Sequence, residues 1–113
     1  IQKSIKMLKN VEYVTAVKKF PHPIDRALEF KNKKLMPVNL KKKMMRTQDL
    51  KCYYYNSGQL DLFKLHAWIK KKIYYKMKVN FLILNELDSK DIDNPQDFKL
   101  ASKLFYLKSK KII

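Results

Sequence analysis

One glycine, one cysteine and two arginines among 113 residues leave several chemistries without their parts. Gly58 alone cannot build a glycine-rich loop that cradles phosphates. Cys52 alone cannot close an internal disulfide, so nothing ties the chain to an oxidising compartment, and the residue reads as an ordinary buried or half-buried thiol. His22 and His66 are too few and too far apart for a zinc site or a triad, and neither neighbours Cys52 to activate it. No apolar run approaches the roughly 18 residues a membrane span needs. The opening residues IQKSIKMLKN lack the apolar centre of a signal peptide, and a soluble cytoplasmic protein is the expectation.

Acidic residues are scarce too. Ten Asp and Glu stand against 26 Lys and Arg, for a net charge of +16. Clustered cations attract nucleic acid by neutralising phosphates and releasing counterions. Here, however, every cation except Arg26 and Arg46 is a lysine, whereas phosphate and base recognition favours the planar guanidinium fork. The lysines are also spread along the chain, with triplets only at Lys41 to Lys43 and Lys70 to Lys72. A solvated lysine surface is the plainer reading. A small basic nucleic-acid-binding module, stacking bases on Tyr53 to Tyr55, is the alternative.

The apolar fraction, 46%, is that of a folded domain, and the length suits one domain rather than two. Ile1, Ile5 and Leu8 share a helical face. Val11 to Val17, VEYVTAV, is rich in β-branched residues and predicts a strand. The PHP of Pro21 to Pro23 is extended, because residues before proline avoid the helical region. RALEF and KLMPV, parted by Lys31-Asn32-Lys33, read as a hairpin or extended arm. Leu62, Leu65, His66 and Ile69 fall at helical spacing, with His66 a packed core residue and Lys70 to Lys72 at the end where cations suit the helix dipole. VNFLILNEL reads as a buried strand. Strand, helix, strand, helix is an α/β order.

The last helix has a clear start in Asn94 as N-cap, Pro95 in the first helical position and Asp97 in the first turn. Phe98, Ala101 and Phe105 share a face of it. Just before it, in SKDIDNPQDF, stand Asp91 and Asp93. Side chains two apart on extended backbone point the same way, so two hard oxygen donors converge where a buried strand gives way to a helix. Such a pair can hold Mg²⁺ and leave its other positions to water and substrate phosphates. Ligands bind open α/β sheets at that place. The plainer alternative is that Asp93 helps cap the helix and Asp91 is solvated.

Taken in order, KFPHPIDRAL, RTQDLKCYYYNSGQ, HAW and DIDNPQDF resemble the C-terminal half of the acylneuraminate cytidylyltransferases, which activate nonulosonic acids as CMP-sugars. The resemblance runs from about Val11 to Leu107. Gly58-Gln59 and HPIDRAL are closest to the pseudaminic acid members. The resemblance implies an α/β chain forming the C-terminal half of a Rossmann-like nucleotidyltransferase domain, with residues 20 to 50 as an extended arm for dimerisation or substrate. It implies Mg²⁺ on Asp91 and Asp93, and CTP and a pseudaminic or sialic acid as substrates. Arg46 falls where the family contacts the sugar carboxylate. Gln48, Asn56 and Gln59 either orient sugar hydroxyl and amide groups or serve as loop hydrogen-bonders. Tyr74 and Tyr75 coincide with an aromatic pair extended into the neighbouring subunit's sugar site, implying a homodimer, or else are plain strand tyrosines.

The departures are as specific. Sialic acid members place a lysine after H-P-L; here Asp25 and Arg26 follow, so the sugar-binding cation is Arg26 or is absent. Leu60 replaces the usual aromatic after the glycine. The family's phosphate-binding loop, of the form A-R-G-G-S-K, has no counterpart, and Ile1 is not an initiator methionine. The expectation is a partial domain, inactive on its own, with no general base in this half.

Overall fold

The computed structural model describes all 113 residues. Its elements, in order, are α1 (Gln2–Met7), β1 (Tyr13–Lys19), β2 (Leu28–Lys31), β3 (Lys34–Pro37), β4 (Tyr54–Phe63), α2 (Leu65–Lys71), β5 (Val79–Ile83) and α3 (Pro95–Ser109). The fold is mixed α/β. A three-stranded sheet runs β4-β1-β5, with β1 antiparallel to β4 and parallel to β5, and β2 and β3 form a separate hairpin.

The β-branched run of β1 takes the central position, paired on both sides, and its residues Tyr13 to Ala16 are all buried. On one face Tyr13 packs with Ala67 of α2 and Met77, backed by Phe63, whose ring stacks on Tyr13 at 4.3 Å. The other face, with Val14 and Ala16, is also buried. The hairpin turns on Asn32 and Lys33, with φ of 52° and 60°. Two left-handed residues in a two-residue loop match the twist of the strands they join. That joins RALEF to KLMPV as expected.

Several sequence-level expectations need correction. α1 forms, but it buries Ser4 and half-buries Met7 and Leu8, while Ile1 and Ile5 are exposed, so the apolar face is only partly covered. Leu62 is a strand residue paired with Val14, so α2 starts later than the spacing implied. Its buried residue is Ala67, and His66 is exposed rather than packed in the core. Cys52 is exposed as well. β5 exists, but Val79, Phe81 and Ile83 stay exposed because nothing covers that part of the sheet.

These corrections share a cause. The radius of gyration is 18.4 Å, against about 13 Å for a compact chain of this length. Periodicity marks the apolar side of an element without saying that a partner covers it. No helix is long and apolar enough to cross a membrane.

Candidate functional site

β1 and β5 run parallel, so their carboxyl ends lie side by side, and the chain leaving β5 crosses that edge. Leu84 N–H donates to the Val17 carbonyl at 2.8 Å. Asn85 Oδ1 then accepts from Leu87 N–H at 3.1 Å, closing a short turn over Glu86–Asp88. Ser89, buried, donates its hydroxyl to the Asn85 carbonyl at 2.6 Å, and its own carbonyl accepts from the Lys18 ammonium.

Asp91 and Asp93 follow, both exposed, on the stretch before α3. The helix start is satisfied without their side chains. Asn94 Oδ1 accepts from Asp97 N–H at 2.9 Å, and Asp97 Oδ2 reaches back to the Asp93 N–H at 3.3 Å. Capping therefore falls to Asn94 and Asp97, and neither the Asp91 nor the Asp93 carboxylate takes part in any of the chain's hydrogen bonds or ion pairs. Tyr55 faces the same loop, its hydroxyl 3.5 Å from Glu86 Oε1. Desolvation first, then the Glu86 carboxylate and more weakly Asp91 push this phenol's ionisation above its ordinary value. Asp91 is thus within electrostatic reach of Tyr55. No set of three or more His, Cys, Asp or Glu side chains is placed to hold a metal. The donor set is a two-carboxylate one, which suits an ion completing its shell with water and phosphate.

Beyond β1, the PHP segment lies against the turn that carries RTQDL. A cavity of about 130 Å³ between them is lined by Lys19, Phe20, His22, Thr47, Lys51 and Tyr53, among others. Arg46 is exposed, before Thr47 and outside the cavity lining; its Nε donates to Asp49 at 3.2 Å, which leaves its terminal nitrogens unengaged. Arg26 donates from Nη2 to the Met45 carbonyl at 2.8 Å, so it braces the residue preceding Arg46. Asp25, buried beside it, pairs with Lys42 at 3.1 Å. The Gln48 side chain is exposed and makes no hydrogen bond within the chain.

β4 carries Asn56 at the edge of an interruption in its pairing and Gln59 within it. Thr15 pairs with Asp61 and Val17 with Asn56, so Ser57 to Leu60 bulge opposite Ala16. Gly58 sits there at φ +69°, a conformation that L side chains adopt at a cost. Asn56 holds the bulge: its Oδ1 accepts from Gly58 N–H at 2.6 Å, while its amide donates to Thr15 Oγ1 at 3.2 Å and Asp61 Oδ1 at 3.3 Å. Asn56 is a loop hydrogen-bonder with its groups engaged, whereas the Gln59 side chain is exposed and unengaged.

Sequence reasoning did not single out Asp61, whose Oδ1 also accepts from the Tyr13 and Thr15 hydroxyls, each at 2.6 Å. The signal lay in Y-x-T alternating on one strand, with a lone acid on its neighbour. Burial acts on the Asp61 carboxyl upward, but the Thr15, Tyr13 and Asn56 donors outweigh it and hold it below its ordinary value. A depressed carboxyl contributes stability above its unfolded value, about 3.9, and loses it as pH falls through the lower folded value. Asp61→Asn should therefore destabilise the chain at pH 7 by about 1 kcal/mol, discounted for partial exposure. Urea melts of both chains should converge near pH 2; a deficit that does not change with pH would show that the charge is not responsible.

Tyr74 and Tyr75 lie at the opposite end of the sheet from Asp91 and Asp93. They occupy a short turn before β5, exposed, with Tyr74 ring-edge to Tyr13 at 6.0 Å. Within one chain they do not join the other candidate residues. Compared with known protein families the chain matches none, and it has no significant match among curated proteins.

Proposed function

We propose that this chain is the metal- and sugar-binding half of a Rossmann-like cytidylyltransferase that activates a nonulosonic acid of the pseudaminic or sialic type. The observation that supports the reading is the pair of unengaged carboxylates, Asp91 and Asp93, on the segment that follows Ser89, whose carbonyl accepts from Lys18 near the carboxyl end of β1. A basic surface that served only to bind phosphates would gain nothing from an acidic pair there.

In the proposed reaction the sugar's anomeric hydroxyl attacks the α-phosphorus of CTP, the bond to the β-phosphate oxygen breaks, and pyrophosphate leaves with the hydroxyl proton passing to solvent. Asp91 and Asp93 would hold Mg²⁺, which when bound neutralises charge on the phosphates. Arg46 presents its free terminal nitrogens as a fork for the sugar carboxylate, a contact lysine cannot duplicate. Arg26 positions it through the Met45 carbonyl. Gln48 and Gln59 offer free amides to hydroxyl and N-acyl groups. The 130 Å³ cavity beside them is lined by none of Arg26, Arg46, Gln48 and Gln59 and is small for such a sugar, since ligand pockets run to about 300–1,000 Å³. A homodimer in which Tyr74 and Tyr75 of a second copy complete the sugar site answers that shortfall. The reading implies a cytoplasmic protein, where CTP is available.

No glycine-rich phosphate loop occurs among these residues, so the chain by itself should bind without turning over. Mn²⁺, used as a paramagnetic stand-in for Mg²⁺, should be retained by the chain and should broaden the phosphorus resonances of added CTP. Asp91→Asn and Asp93→Asn should each weaken retention about tenfold or more. Oligonucleotide binding that ignores both substitutions, in a chain that retains no Mn²⁺, would favour the nucleic-acid module instead.

A further inference from the structure

Lys18 is the one lysine the fold buries, at 5% exposure, and it takes no part in any of the chain's ion pairs. Buried ammonium groups are costly unless paired. This one's hydrogen-bond partner is the carbonyl of Ser89, itself 2% exposed. An apolar side chain of similar length would occupy the place without that cost, so the hydrogen bond has a structural consequence to account for it.

The consequence is the path of the chain after β5. Leu84 N–H is tied to β1 by the Val17 carbonyl, and Ser89 Oγ ties back to Asn85. Between those points the turn meets the sheet twice, where the Tyr55 hydroxyl reaches Glu86 Oε1 at 3.5 Å and where Lys18 holds the Ser89 carbonyl, the contact nearer to Asp91 in the chain. Asp91 stands two residues on, with no side-chain contact of its own to hold it. We infer that Lys18 is a positioning residue for the acidic pair: it fastens the segment from Ser89 to Asp93 to the end of β1, so that both carboxylates are presented together at the carboxyl edge of the sheet. This inference rests on the metal reading of Asp91 and Asp93.

The full chain, Lys18→Met and Lys18→Arg separate the possibilities. Lys18→Met should speed hydrogen exchange at the amides of Ser89 to Asp93 about tenfold or more, while those in the β1–β4 ladder keep their rates. It should weaken Mn²⁺ retention about tenfold. Lys18→Arg, which still reaches the carbonyl, should recover part of both. Unchanged exchange, or faster exchange with unchanged Mn²⁺ affinity, overturns the role of Lys18 while leaving the metal reading intact. Wild-type chain that retains no Mn²⁺ removes the metal reading itself. Should Lys18→Met fail to fold, reductive methylation of the wild-type chain decides. Mn²⁺ should slow labelling of the Lys18 amine, because metal that binds the closed segment stabilises it; equal labelling with and without Mn²⁺ overturns the inference.

Discussion

Raising the salt concentration should move the purified chain from monomers to dimers and larger species, while the same salt weakens its hold on CTP. β5 pairs with β1 on one side only, and its other edge offers unpaired backbone groups. Val79, Phe81 and Ile83 are exposed beside that edge, with Tyr54 next to Phe81 at 5.8 Å. An apolar, unpaired edge templates pairing with another strand. Against this stands a charge of +16 on each copy, which repels a second chain at low salt. The Debye length falls from about 10 Å at 0.1 M to about 3 Å at 1 M, so salt removes the repulsion and leaves the apolar attraction. Val79→Lys with Ile83→Lys should keep the chain monomeric throughout. Sedimentation velocity across that salt range provides the check, and a double variant that associates like the wild type would move the contact away from β5.

What could be read in the sequence depended on whether the cause was local. Asn94-Pro95 starts α3, and Asn32-Lys33 turns the hairpin, because a cap or a left-handed turn is decided within a few residues. β1 was equally plain, since a β-branched run satisfies strand geometry by itself. The burial of β5, the face of α1 and the setting of His66 depended on what lies against them, and the period of an apolar pattern does not carry that information. The bulge at Gly58 was visible only as a glycine between apolar runs, because the register that creates it is set by β1, some forty residues earlier. For the candidate site, the D-x-D spacing singles out Asp91 and Asp93, while their lack of side-chain partners shows only in the fold. Lys18 could not be found in this way, being one lysine among many and distinguished only by the carbonyl that the fold brings to it, and Asp61 is marked in the sequence only by the Y-x-T alternation of the strand it pairs with.

Val14→Asp should abolish the cooperative thermal transition, whereas Phe105→Lys should leave it nearly unchanged. Both residues are apolar, and composition gives no reason to rank them. Val14 is 0% exposed on the central strand, between Leu62 of β4 and Asn80 of β5. Phe105 is 77% exposed on α3. An unpaired carboxylate at Val14 costs several kcal/mol, against a total stability of about 5–15 kcal/mol for an ordinary domain. The core here is small: Val11, Tyr13, Val14, Ala16, Ala67 and Met77 are its buried apolar residues, and four of the six belong to β1 or its approach. A loss at the central strand therefore removes the pairing of β4 and β5 together, and with it the Lys18 contact on which the proposed Asp91 and Asp93 site rests. Phe105→Lys touches no such contact and should shift stability within about 0.5 kcal/mol. Circular dichroism melts of the two variants and the wild type test the contrast, with Mn²⁺ retention expected to vanish in Val14→Asp and persist in Phe105→Lys. A wild-type melting midpoint in Val14→Asp would mean that β1 is not the strand on which the sheet depends.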